Sequence, residues 1–143
     1  MKKIKLLLVD DEKAFLDTIT KRLEKRDLDV STVYSGKEAL AEVEKNKAIE
    51  VIVLDVKMAE MDGIQTLVEL KRKAPLVEVI MLTGHATVET AIDGMKLGAF
   101  DYLMKPCDIE ILVGKVKGAA SKKREHEAKI SDARIKEITE RRI

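Results

Sequence analysis

Five side chains capable of chemistry fall at the ends of short apolar runs. Asp10 and Asp11 follow IKLLLV, Asp55 follows VIVL, Thr83 follows VIML, and Lys105 follows AFDYLM. Three carboxylates brought together repel one another and resist burial. A divalent cation relieves that repulsion, and oxygen ligands favour Mg²⁺. A carboxylate can also attack phosphorus to give an acyl phosphate. A metal opposite it offsets the charge on the transferring oxygens. A lysine holds one phosphoryl oxygen as a point charge, and a threonine hydroxyl can bond another. The residue types therefore suit phosphoryl transfer, provided that the fold gathers them.

The elements that would gather them are legible as period. IKLLLV (4–9), DVSTVY (29–34), VIVL (51–54), VIML (79–82) and AFDYLM (99–104) read as five strands. Between them run helical patterns. Phe15, Ile19 and Leu23 mark the first helix, and Ala39, Leu40 and Val43 the second. Ile64, Leu67, Val68 and Leu70 mark the third, opened by Gly63 and closed before Pro75. Val88, Ala91, Ile92 and Met95 mark the fourth, which ends at Gly98. Ile109, Leu112, Val113 and Val116 mark the fifth, with Asp108 as N-cap. Five βα repeats predict an α/β fold with parallel strands and helices on both faces. In such a sheet, ligands bind beyond the carboxyl ends of the strands. All five side chains would stand on that one rim, with Asp55 held by the end of a rigid strand.

Composition bounds the rest. The chain has 143 residues, enough for one domain, with 37% charged residues and a net charge of +1. That balance exerts no global pull toward nucleic acid or membrane. No apolar run exceeds four residues, too few to span a bilayer. Aromatics are 3% of the chain, so the core must be aliphatic and base-stacking platforms are lacking. Cys107 is the single cysteine and has no partner for an internal disulfide, which favours a cytoplasmic location. Residues 121–143 have no strand signal and carry eight Lys/Arg against five Asp/Glu. Three acid-to-base pairs four residues apart, Glu125–Lys129, Asp132–Lys136 and Glu137–Arg141, predict a charged helix continuing or following the fifth. Its isoleucines, 130, 135, 138 and 143, keep no clean heptad. The division expected is a domain over 1–120 and a charged helical extension over 121–143.

VDDE (9–12), VIVLDVKMAEMDG (51–63), MLTGHA (81–86) and GAFDYLMKP (98–106) together resemble the receiver domain of two-component response regulators. The resemblance runs from about residue 4 to residue 120. It implies a flavodoxin-like doubly wound sheet of order 2-1-3-4-5, which makes strands one and three neighbours. It also implies that Asp55 accepts a phosphoryl group from a histidine kinase or a phosphotransfer protein. Asp10, Asp11, Asp55 and the backbone carbonyl of Lys57 would bind Mg²⁺. Thr83 and Lys105 would contact the phosphoryl group, with Thr83 and Tyr102 acting as the switch. The Lys105–Pro106 bond would be cis. The surface of helix four, strand five and helix five would then control a downstream protein effector or a homodimer. The chain departs from the family at Met58-Ala59, where Met-Pro is common, and at Cys107, where phenylalanine is common. Lys57 and His85 would flank the phosphoryl group.

Other readings exist for each residue. Asp10 and Asp11 could cap the first helix, Thr83 could cap the fourth, and Lys105 could be a solvated lysine. Cys107 reads as inert packing, and His126 as a solvated residue of the charged tail. An aspartyl-nucleophile phosphotransferase or phosphatase needs a second acid where Lys57 stands. A flavin mononucleotide carrier needs a phosphate loop where Asp10-Asp11-Glu12 stands. A phosphorylation-independent receiver-like interaction domain is the remaining alternative. The expectation is a switch and not an enzyme with a separate substrate. Direct nucleic-acid binding is not expected, since no reader motif follows residue 120. A stand-alone receiver is expected, with the front of a longer regulator as the alternative.

Overall fold

The computed structural model describes residues 2–58, 61–84 and 87–141. Five strands and five helices alternate: β1 (Ile4–Val9), α1 (Lys13–Glu24), β2 (Leu28–Val33), α2 (Gly36–Lys45), β3 (Val51–Leu54), α3 (Gly63–Lys73), β4 (Glu78–Thr83), α4 (Val88–Lys96), β5 (Asp101–Met104) and α5 (Ile109–Arg141). All pairings are parallel, and the strand order is β2-β1-β3-β4-β5. β2 lies one residue earlier than its apolar run suggested. β5 begins two residues later, and the Ala99 N–H donates to the Gly94 carbonyl of α4 instead of to β4.

Strand period divides the core into two layers. Leu6, Leu8, Val53, Ile80 and Leu82 face one side, where Leu16 and Leu23 of α1 and Leu112, Val113 and Val116 of α5 cover them. Leu7, Val9, Ile52, Leu54, Val79 and Met81 face the other, under Ala39 and Val43 of α2 and Leu67 and Leu70 of α3. Both faces of the three inner strands are therefore dry, which is why those strands read as unbroken apolar runs.

Helix ends follow local chemistry. The Ser35 hydroxyl accepts the Glu38 N–H, and the Asp62 carboxylate accepts the Gln65 N–H. Thr87 and Thr90 close a reciprocal capping box on α4. Asp108 accepts from the N–H groups of Glu110 and Ile111, the cap expected for α5. Gly98 closes α4 at φ +103°, a conformation that favours glycine. The α4 stripe is not buried as its period suggested. Val88 is 78% exposed, and Ile92 and Met95 are also exposed. The helix instead meets the sheet through Gly94, which lies against the Tyr102 ring and Met81.

Helix α5 runs through residue 120 without a break, and its next turn is tied to the opposite, amino end of the sheet. Glu50 before β3 and Glu78 at the start of β4 are both buried. Arg124 donates a two-pronged pair of hydrogen bonds to Glu50, at 2.6 and 2.8 Å. Lys122 lies 3.3 Å and Lys71 3.5 Å from the two Glu78 oxygens. Beyond that turn, the Glu137–Arg141 pair forms as its spacing suggested. Ile143 lies outside the described residues. Among the described residues, no helix is long and apolar enough to cross a membrane.

Burial opposes ionisation of Glu50, but the hydrogen bonds and charge of Arg124 outweigh it and hold the carboxyl below its ordinary range. A carboxyl depressed in the folded state adds stability above its unfolded pKa and loses it as pH falls through the folded value. Arg124→Ala is therefore expected to cost about 1–2 kcal/mol in urea unfolding at neutral pH, discounted for a partly exposed arginine. The deficit should shrink as pH falls below about 5, where the parent loses the same contribution. A constant deficit down to pH 3 would exclude the ion pair as its cause.

Candidate functional site

The carboxyl ends of β1, β3, β4 and β5 meet at one rim. The Asp55 N–H donates to the Val9 carbonyl, and the Lys105 N–H donates to the Thr83 carbonyl. These backbone bonds continue the sheet one residue past each strand and fix where the side chains start. Asp10 and Asp55 are buried, Asp55 only 2% exposed, while Asp11 is exposed. Carboxylate oxygens of Asp10, Asp11 and Asp55 all lie within 4.8 Å of one another. The Lys105 ammonium reaches across from β5, 2.6 Å from Asp10, 3.4 Å from Glu12 and 3.7 Å from Asp55.

Electrostatics follow from that crowding. Burial pushes the Asp10 carboxyl above its ordinary value, against hydrogen bonds from Lys105 and from the Glu12 N–H, and the charge of Asp55 adds to the rise. Burial pulls the Lys105 ammonium down. The hydrogen bond to Asp10 and the charges of Asp10, Asp55 and Glu12 outweigh it, so Lys105 is held above an ordinary lysine and stays charged. Among the described residues, Asp10, Asp11, Asp55 and Glu12 thus gather around the ammonium of Lys105. The donor set is all oxygen and still negative after Lys105 is counted, which fits a hard divalent cation such as Mg²⁺.

The blander readings of these residues fail on geometry. The N-cap of α1 is Glu12, and its side chain makes no cap bond. Asp10 instead turns inward to Lys105 while its Oδ1 accepts the Glu12 N–H at 2.9 Å. Thr87 caps α4, so Thr83 does not, and Thr83 is fully buried at the rim. Lys105 is not a solvated lysine: its side chain is 13% exposed. Lys57 is exposed, and its N–H points at Asp55 Oδ1 across 3.4 Å. Tyr102 is half-buried, and its hydroxyl shares a 2.9 Å hydrogen bond with Thr90 of α4. The Lys105–Pro106 peptide is cis. Cys107 is partly buried against the α1 and α5 layer, at a groove lined by Phe15, Ile19 and Ile109. Burial and the charge of Asp108 push its thiol up, which fits inert packing. Ala59 and His85 lie outside the described residues.

Two residues matter here beyond what their sequence positions suggested. Gly63 reads only as a helix start. A Cβ there would fall 2.1 Å from the Asp55 carbonyl oxygen and 2.5 Å from the Val56 Cα. The Gly63 N–H also donates to the Val56 carbonyl at 2.6 Å. The glycine lets the return of the loop press against the strand end that carries Asp55. Phe15 reads only as core, yet its ring lies 4.0 Å from the Lys105 Nζ.

The response regulator receiver domain family matches residues 6–117, and the chain belongs to that family, the phosphorylation-controlled module of two-component signalling. Its relatives include the transcriptional regulatory protein ZraR of Salmonella typhimurium, 38% identical over 131 residues. That match covers 92% of this chain and 30% of ZraR, so the chain spans under a third of that relative's length. A receiver domain protein from Clostridium thermocellum superposes with a TM-score of 0.81 at 37% identity, over 85% of this chain and 97% of that one. A response regulator from Burkholderia pseudomallei, solved with a phosphorylated aspartic acid, calcium ion and citrate, gives 0.75 at 29% identity, over 88% and 74%.

Gly63→Ala should force the loop away from the Asp55 backbone and destabilise the fold by about 2–3 kcal/mol in urea unfolding. An unchanged midpoint would show that the loop yields freely, and that its contact does not hold Asp55 in place.

Proposed function

We propose that Asp55 is the phosphoacceptor of a signalling switch supplied by a histidine kinase or a phosphotransfer protein. One observation carries this reading. A buried carboxylate at the end of β3 stands within 4.8 Å of two further acids and 3.7 Å from a lysine. The aspartate and calcium ion of the Burkholderia pseudomallei relative support it by likeness.

Asp10, Asp11 and Asp55, with the backbone carbonyl of Lys57, would hold Mg²⁺. The ion supplies charge neutralisation for the transferring phosphoryl oxygens. An Asp55 oxygen forms the new bond to phosphorus while the bond to the donor's imidazole nitrogen breaks, and the imidazole carries away its electron pair. Lys105 leaves Asp10 for a phosphoryl oxygen, exchanging one charge-assisted hydrogen bond for another. The Thr83 hydroxyl donates to a second phosphoryl oxygen. Attack by water on the same phosphorus later breaks its bond to the Asp55 oxygen, which releases inorganic phosphate and restores the carboxylate. The chain therefore catalyses its own modification and turns over no separate substrate.

The readout lies where α4 sits lightly on the sheet. Movement of Thr83 draws on β4, and the Tyr102–Thr90 hydrogen bond gives way as the ring turns inward. Val88, Ile92 and Met95 of α4, Met104 of β5 and Ile111 of α5 are exposed apolar residues on that side. They suit a protein effector or a second copy, whose binding would bias the two-state equilibrium.

Incubation with Mg²⁺ and a small acyl-phosphate donor should add one phosphoryl group by intact mass. The gain should vanish with EDTA and be absent in Asp55→Asn. A gain that persists in the variant would place the acceptor elsewhere. Mg²⁺ alone should also raise the thermal midpoint, as a ligand of the folded state does. Asp10→Asn should remove most of that rise, and a rise untouched by the substitution would remove Asp10 from the metal site.

A further inference from the structure

We propose that Phe15 is a positioning residue for Lys105, and that its ring face keeps the ammonium poised between Asp10 and Asp55. The inference rests on the reading of Asp55 as phosphoacceptor. Lysines also lie over Tyr34 and Phe100, at 5.0 and 5.8 Å from the ring centroids, but the Phe15 contact is the shortest of the three at 4.0 Å, and its lysine is the one at the acidic rim. Phe15 stands on the first turn of α1, three residues after Glu12, the last of the acidic triplet Asp10-Asp11-Glu12. Its ring is partly buried against the α1 and α5 core layer. It borders both the small apolar pocket beneath Asp10 and Asp55 and the groove that Lys105 and Cys107 line.

The ammonium is thus enclosed from two sides. Carboxylates of Asp10, Glu12 and Asp55 stand at 2.6, 3.4 and 3.7 Å, and the Phe15 centroid stands at 4.0 Å. Phosphorylation requires Nζ to exchange Asp10 for an oxygen on Asp55. An aliphatic side chain at position 15 would fill the space without attracting the charge. A polar one would bind it directionally and resist the exchange. A ring face attracts a cation broadly, and more strongly where water is excluded. It can hold Lys105 close to both acids while the hydrogen bonds change over.

Phe15→Leu keeps apolar bulk and removes the ring face, whereas Phe15→Tyr keeps the face. In the parent, the Lys105 ε-methylene protons should be shifted upfield by ring current in the NMR spectrum. Phe15→Leu should lose that shift and accept phosphoryl about tenfold more slowly at saturating acyl phosphate and Mg²⁺, the factor that a partly desolvated cation–ring contact supplies. Its Mg²⁺ affinity by calorimetry should stay within about twofold of the parent, since no metal ligand has changed. Phe15→Tyr should restore both the shift and the rate. Unshifted Lys105 protons in the parent would overturn the inference without any variant. So would a folded Phe15→Leu that phosphorylates as fast as the parent, or a Phe15→Tyr as slow as Phe15→Leu. A parent that takes no phosphoryl group, with its ring-current shift intact, would overturn the proposed function and this role with it, although the contact itself would stand.

Discussion

Lys105 against the acids of the rim is the interaction on which the rest of the molecule turns. Asp10 and Asp55 are buried side by side, an arrangement that repulsion and desolvation both oppose. The fold tolerates it because β1 and β3 are adjacent and parallel, so their ends are fixed at the same height. It also tolerates it because β5, two strands further along, sends back an ammonium that burial alone would discourage. A sheet in which one strand paired out of register would scatter these groups.

The opposite end of the molecule is also built with ion pairs. Glu50 and Glu78 lie at the amino ends of β3 and β4, the strands that carry Asp55 and Thr83 at their carboxyl ends. Each acid is buried, and each is met by a cation from α5 beyond residue 120. The two central strands are thus held at both ends, at the rim by backbone bonds to β1 and β5, and at the base by the continuing helix. By contrast, Gly94 is the single buried residue of α4 and its apolar stripe is exposed, so that helix has little buried contact with the core.

Much of this was legible in the chain. Strand runs and helix periods placed all ten elements, with strand ends off by one or two residues. The five rim residues were legible because each follows an apolar run, a signal that survives without coordinates. Gly63 and Phe15 were not. A glycine opening a helix looks the same whether or not a backbone passes behind it. A phenylalanine at core spacing looks the same whether its ring meets leucine or an ammonium. The fourth helix misled in the other direction, since its apolar period is real but faces outward. Period records which residues share a face, not what that face meets.

By itself, then, the sequence determined the order of elements, the two-sided burial of the inner strands and the presence of acids, hydroxyl and lysine at strand ends. Those depend on local period and on residue type, which are properties of neighbours along the chain. Only the tertiary structure decided which acids touch Lys105, that Phe15 lies beside it, that Gly63 touches the Asp55 backbone, and that Arg124 returns to Glu50. These contacts join residues from 8 to 95 positions apart. Their distances are set by how strands and helices stack, and chain separation carries no record of that.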